Sequence, residues 1–250
     1  MIVGVAGKGG VGKSTIAALL IRSLLARGVR PLLAVDADPN TCLYEKLGVE
    51  AGRTLGQIRE ESVRLKQETP TLAKRDLLEM EVQSAVVEGT GFDLLAMGRQ
   101  EGPGCYCYVN NLLRSFVDGL GGAYKAVVID NEAGMEHLSR RTNAGVDVML
   151  LVCEPTRSSA RTIARLKELA EGLDFRIGAQ YVVVNRANGA VEATVQAEIE
   201  SVGLETIGVV PKDEVVLRYE SEDESLLGLP ADSAAAVAVD EIAKKLMEGG

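Results

Sequence analysis

The sequence predicts an α/β fold: a mostly parallel, twisted β-sheet with helices on both faces. Three observations predict it. Short, β-branched apolar runs of strand length alternate with longer helical patterns along the whole chain. The segments richest in Gly, Asp and Asn fall at the C-terminal ends of those runs, where an open α/β sheet carries its ligand loops. The chain also opens with a strand, a glycine turn and a helix in direct succession, the βα unit from which parallel sheets are built. With 250 residues, no internal repeat and no low-complexity linker, a single domain over 1–250 is expected.

The first unit carries the strongest chemical signal. Ile2-Val3-Gly4-Val5-Ala6 reads as a buried strand, Gly7-Lys8-Gly9-Gly10-Val11-Gly12-Lys13-Ser14 as a glycine loop, and Thr15-Ile16-Ala17-Ala18-Leu19-Leu20 as the start of a helix. Glycines let backbone N–H groups turn inward around phosphate oxygens where a Cβ would block them. The GxxxxGK[ST] spacing places Lys13 to reach the β/γ-phosphates and the Ser14 hydroxyl to ligate Mg²⁺, with Thr15 in the first helical turn. The fold expected is therefore that of a P-loop NTPase.

Lys8 is a second lysine in a loop whose in-cis lysine is already Lys13. On the loop's outer side it is better placed to reach the nucleotide of a facing subunit. GKGGVGKS resembles the signature-lysine group of P-loop ATPases, which includes the MinD/ParA proteins, the nitrogenase iron protein and metal-insertion ATPases. The resemblance implies ATP or ADP as ligand, a homodimer that sandwiches ATP, and Lys8 and Lys13 as catalytic lysines.

The first helix runs over 15–26 and stops at Arg27-Gly28. Pro31-Leu32-Leu33-Ala34-Val35 is the second strand, delivering Asp36-Ala37-Asp38-Pro39-Asn40 at its end. Carboxylates at that place can hold Mg²⁺ and orient an attacking water. Asp36 is expected in the Mg²⁺ shell. By the resemblance, the loop is the first switch and Asp38 the water-positioning aspartate. The stretch 41–87 reads as helical, its charges forming a solvated face; Cys42 within it reads as a packed thiol.

Residues 92–97 form the next strand candidate and run into Gly98-Arg99-Gln100-Glu101-Gly102-Pro103-Gly104-Cys105-Tyr106-Cys107-Tyr108. Glycines and a proline force an irregular loop before a helix pattern resumes at Val109, so the two thiols sit near a helix N-terminus, which favours thiolate. Thiolates bind soft metals, yet one Cys-x-Cys supplies two ligands and a closed tetrahedral site needs four. A two-fold axis beside the loop would let Cys105 and Cys107 of both subunits complete a four-thiolate metal site. Unliganded thiols or a redox pair are the other readings.

Ala126-Val127-Val128-Ile129-Asp130 is a buried strand ending in the second carboxylate of the Mg²⁺ shell. Asn131-Glu132-Ala133-Gly134-Met135-Glu136-His137 follows, where the resembled families carry a second switch with a proline in place of Glu132. His137, the single histidine, reads as a surface or packed imidazole or a transient ligand. Residues 147–153 are a strand with Cys153 in the core, residues 158–171 a helix, and residues 177–184 a strand ending in Asn185-Arg186. By the resemblance, Asn185 hydrogen-bonds adenine with Arg186 beside it as a nucleotide contact, and the loop Pro211 to Val215, with Pro211 and Asp213 as its contacts, closes over the base after a short strand at 207–210. Residues 232–248 finish as a helix.

Composition narrows the partners. A net charge of −9 argues against sequence-independent binding to nucleic acid or anionic membrane. Met1 leads straight into a core strand and no apolar run reaches membrane length, so no secretory signal or membrane span is expected. Four cysteines in a long acidic chain fit a reducing cytoplasm.

Within the signature-lysine group, GKGGVGKS, DADPN, GPGCYCYVNNLLR and DNEAGMEHLSRRT together most resemble the nickel-insertion ATPases that mature carbon monoxide dehydrogenase and acetyl-CoA synthase, the CooC/AcsF type. That resemblance implies a cytoplasmic metallochaperone that dimerises with ATP, binds Ni²⁺ or Zn²⁺ through Cys105 and Cys107, and delivers nickel to an apo-enzyme. Two other readings stay open: an iron–sulfur carrier or reductase related to the nitrogenase iron protein, and a positioning switch of the MinD/ParA class.

Overall fold

The structure is a computed structural model; it describes residues 1–40, 42–50, 52–58, 60–61, 82–99, 122–131, 145–172 and 176–249. Its strands are β1 (Ile2–Gly7), β2 (Leu32–Ala37), β3 (Val87–Glu88), β4 (Asp93–Ala96), β5 (Ala126–Asn131), β6 (Val146–Cys153), β7 (Ile177–Ala187) and β8 (Glu205–Pro211). They form one eight-stranded sheet in the order β3-β4-β2-β5-β1-β6-β7-β8. Every pairing is parallel except β3 with β4 at one edge. The order steps outward in both directions from β1, so the glycine loop leaves the middle of the sheet, at the switch point where such sheets bind ligands.

Helices among the described residues include α1 (Lys13–Ala26), α2 (Leu43–Leu47), α3 (Arg157–Glu171), α4 (Ala193–Ser201), α5 (Glu214–Ser221) and α6 (Ala234–Glu248). Central strands buried on both faces read as continuous apolar runs because each face needs a cover. On one face Val3, Val5, Ala34, Val128 and Val152 pack under Ile16, Leu19 and Leu20 of α1 and Val239 and Ile242 of α6. On the other, Leu33, Val35, Ile129, Met149 and Leu151 pack under Ile163 and Leu166 of α3 and Val195 and Ile199 of α4. Polar ties fix α1 against α6: Ser23 Oγ donates to Asp240 Oδ1 at 2.6 Å, and the Arg27 guanidinium pairs with Asp240 Oδ2 at 2.6 Å.

Element edges depart from the sequence reading in ways that matter for the site. β2 starts after Pro31, whose nitrogen has no proton for the ladder, and continues through Asp36 and Ala37. β7 carries Asn185 and Arg186 inside the strand, with a register irregularity between Val184 and Ala187. α4 and α5 were not expected as helices. α4 buries only Val195 and Ile199, too sparse an apolar stripe to read at sequence level. Among the described residues no helix is long and apolar enough to cross a membrane.

Candidate functional site

The glycine loop joins β1 to α1 in the expected conformation. Gly10 and Gly12 hold φ of 86° and 89°, the left-handed region that side chains disfavour. Gly12 caps α1 without any side-chain hydrogen bond, so the first N–H groups of this 14-residue helix remain available to an anion. Lys13 is buried at the mouth of the loop, whereas Lys8, Gly9 and Gly10 are exposed on its outer side. Lys13 Nζ and Val11 N both lie 3.5 Å from the Lys8 carbonyl oxygen. Those are hydrogen bonds at the far limit of the distance range, made by two donors a phosphate oxygen would satisfy better.

The two carboxylates expected for Mg²⁺ lie beside this loop. Asp36 and Asp130 are register partners across β2 and β5, and Asp130 is also opposite Val5 of β1. Period-two alternation aims both side chains to the α1 face, in line with Ala34 and Val128. Burial pushes Asp36 up to about 7, reinforced by the neighbouring Asp130 charge and opposed by the Leu43 amide. It pushes Asp130 up to about 6, opposed by the Ser14 hydroxyl and the Lys13 charge. Leu43 N donates to Asp36 Oδ2 at 2.9 Å and Asp38 N to Oδ1 at 3.2 Å, tying α2 and the loop before it to Asp36. Both Asp130 oxygens are buried without a hydrogen bond of normal geometry, although Ser14 faces them.

That orphaned carboxylate fits a hard cation. Ser14, Asp36 and Asp130 offer only oxygen donors, as Mg²⁺ prefers. Among the described residues no three His, Cys, Asp or Glu side chains converge on one point, so phosphate oxygens and water would complete the shell. Asp38 stands on the loop before α2, its Oδ1 accepting from Asn40 N at 2.8 Å and Asn40 Nδ2 at 3.0 Å. Arg99 in turn donates to Asn40 Oδ1 at 2.5 Å.

On the other side of α1 lies a cavity of about 360 Å³, lined by Thr15, Leu19, Asn185, Arg186, Pro211 and Asp213 among others. Asn185, Arg186, Pro211 and Asp213, expected around the base, thus line one space together with Thr15 of the first helical turn. Asn185 and Arg186 touch the glycine loop as well: Asn185 Nδ2 donates to Val11 O and Arg186 Nη1 to Gly10 O. Asp213 is a double cap. Its Oδ1 accepts from Val215 N at 2.8 Å in α5, and its Oδ2 accepts from Ser233 Oγ at 2.7 Å and Ala235 N at 3.0 Å in α6. Burial raises its pKa, but these donors outweigh burial and hold the carboxyl below its ordinary value.

Glu220 and Lys46 belong to the site and were not anticipated. Thr15 Oγ donates to Glu220 Oε1 at 2.7 Å, and Lys46 Nζ donates to the same oxygen at 2.6 Å. Burial acts against the Glu220 charge, yet Lys46 and Thr15 keep its carboxyl below the usual range. Neither residue sits in a motif; they meet only because α2 and α5 fold onto α1. Cys105, Cys107, Glu132, Glu136 and His137 lie outside the described residues.

Residues 2–226 match the CobQ/CobB/MinD/ParA nucleotide binding domain family. An uncharacterised ATP-binding protein of Methanocaldococcus jannaschii is 41% identical over 250 residues, covering 99% of this chain and 98% of the relative. The carbon monoxide dehydrogenase accessory protein CooC of Rhodospirillum rubrum is 36% identical over 188 residues, 70% of this chain and 71% of that protein. Among solved structures, the cell division ATPase MinD of Pyrococcus furiosus superposes with a TM-score of 0.72 at 21% identity, covering 100% of this chain and 99% of the other. At that identity the superposition speaks for the fold.

Proposed function

The chain belongs to the CobQ/CobB/MinD/ParA nucleotide-binding family and is an ATPase, and on that premise we propose that it is an ATP-dependent nickel metallochaperone serving carbon monoxide dehydrogenase or acetyl-CoA synthase. The observation that carries this reading is the similarity to the carbon monoxide dehydrogenase accessory protein CooC in a chain that also holds Cys105-Tyr106-Cys107. Two protomers face each other across their glycine loops, with Lys8 of each reaching the nucleotide of the other. Cys105 and Cys107 of both subunits then supply four thiolates to one Ni²⁺ or Zn²⁺, the cargo of the reaction.

The chain's own groups divide the work. Loop N–H groups and Lys13 hold the β/γ-phosphates, Asp38 orients the attacking water, and the cavity bounded by Thr15, Asn185, Arg186, Pro211 and Asp213 receives the nucleoside. Ser14, Asp36 and Asp130 would hold Mg²⁺, which would supply neutralisation of phosphate charge. Because nucleotide contacts set the subunit arrangement and that arrangement sets the thiolate geometry, ATP and metal affinities are reciprocally linked. The net charge of −9 suits a metal carrier better than a nucleic-acid or membrane binder.

The test is nickel delivery. Nickel-loaded protein with ATP is expected to activate the apo-dehydrogenase, and Lys8→Ala to lose both ATP-driven dimerisation and delivery while still binding nucleotide. Activation of the client at an equal rate by free Ni²⁺, or by Lys8→Ala, would sink the reading.

A further inference from the structure

Two neighbouring side chains near the end of β7 hold two carbonyls of the glycine loop. Asn185 Nδ2 donates to Val11 O at 2.9 Å, and Arg186 Nη1 donates to Gly10 O at 2.8 Å. Arg186 Nη1 also lies 3.1 Å from Glu154 Oε1, just past the end of β6. Glu154 is itself fixed, its N–H donating to Ser159 Oγ at 2.9 Å in the first turn of α3. Arg186 holds φ 58°, within the strand irregularity between Val184 and Ala187. A left-handed conformation is unfavourable for a residue with a Cβ and persists only where its surroundings over-determine it. On the facing side, a Cβ on Gly12 would collide with Asn185 Nδ2.

The consequence follows from peptide geometry. In a planar trans peptide the C=O and the next N–H point in opposite directions. Gly10 O shares its peptide unit with Val11 N–H, and Val11 O shares its unit with Gly12 N–H. Anchoring these two carbonyls outward on β7 therefore turns two N–H groups toward the inside of the loop. Val11 N does point inward, toward Lys8 O. Gly10 and Gly12 leave the loop free to rotate those units, so an external anchor is needed to make one orientation dominate.

We propose that Asn185 and Arg186 are positioning residues for phosphate recognition, acting through the Gly10–Val11 and Val11–Gly12 peptides, with Glu154 aiming Arg186. Both residues also border the neighbouring cavity, but this contact acts mainly on the phosphate half of the ligand, where a base-reading pair's would act mainly on the adenine half. The inference rests on the ATPase activity alone and stands whether or not the protein carries nickel.

Two fragment ligands separate the halves: Mg²⁺-tripolyphosphate has no base, and adenosine has no phosphate. In calorimetric or competition titrations of the full chain, Arg186→Ala is expected to weaken tripolyphosphate about tenfold, equivalent to about 1.4 kcal/mol, and to weaken adenosine, whose cavity Arg186 also borders, by a clearly smaller factor. Arg186→Gly relieves the left-handed backbone, so it should unfold no earlier than Arg186→Ala and still show the same tripolyphosphate loss. Glu154→Gln keeps Arg186 and the backbone in place and should give a smaller loss in the same direction, which keeps the test open if the Arg186 variants fold poorly. Unchanged tripolyphosphate affinity in Arg186→Gly and Glu154→Gln overturns the proposal, as does a loss of adenosine affinity equal to or greater than that of tripolyphosphate.

Discussion

Asp36 and Asp130 stand side by side as register partners across β2 and β5, both buried and both aimed at the N-terminal turn of α1. Two adjacent buried carboxylates oppose folding unless something cationic faces them. The site is therefore built for its ligand at the expense of the empty protein.

Replacing Asp130 measures that conflict. Its pKa in the fold, about 6, lies above the ordinary 3.8, so the folded state holds the proton more tightly. The associated stability is complete below about pH 4 and is lost as pH rises through 6. Ionising the group at pH 8 costs the fold on the order of 3 kcal/mol. Asp130→Asn is expected to melt higher than the parent at pH 8 without Mg²⁺ or nucleotide, the gain vanishing near pH 4. ATP hydrolysis should fall at least about a hundredfold, as loss of a metal-shell carboxylate implies. A variant less stable than the parent at pH 8 would show that burial of Asp130 is compensated within the empty fold.

Thr15, Glu220 and Lys46 couple the helix that follows the glycine loop to α2 and α5. Both Glu220 and Lys46 are about a fifth exposed, so the ion pair is partly shielded from water. A double-mutant cycle over Lys46→Met and Glu220→Gln in denaturant unfolding should return a coupling of about 0.5–1 kcal/mol. The same cycle on the KM for ATP should also be non-additive, since Thr15 and Glu220 line the cavity beside the glycine loop. Strict additivity in both readouts would mean the contact carries neither stability nor binding.

Asp213 joins two helix N-termini and its carboxyl is held below the ordinary range. For such a group the stabilisation is present above its unfolded pKa and is lost as pH falls through the lower folded value. Asp213→Asn should lower stability by about 1 kcal/mol at pH 7, the usual cost of a weakened cap. The gap to the parent should narrow below about pH 3.8, the ordinary value. Melts from pH 7 to pH 3 check both the size and the pH at which the two curves converge.

The sheet and most of the nucleotide site were legible in the sequence because they rest on local patterns. Apolar runs at β1, β2, β5, β6 and β7 announce strands wherever they are placed, and GKGGVGKS specifies its own turn. Asp36, Asp130, Asn185 and Pro211 could be placed near the glycine loop because each sits at the end of such a run. Lys46, Glu154 and Glu220 could not, since their roles arise from contacts across 32 to 205 residues of sequence. α5 stayed hidden behind a single buried residue, Val216, although Asp213 ahead of it carries the chemistry of an N-cap. The role of Arg186 depends on a strand irregularity that no periodicity reveals.

The central claim, a metal held between two subunits by Cys105 and Cys107, is tested most directly by native mass spectrometry of anaerobically prepared protein titrated with Ni²⁺ or Zn²⁺, with ADP or a non-hydrolysable ATP analogue. The expected result is one metal per dimer, absent from the Cys105→Ala/Cys107→Ala variant, whose nucleotide binding remains. A dimer that keeps its metal in that variant, a dimer that takes up none, or a mass increment of an iron–sulfur cluster would contradict it.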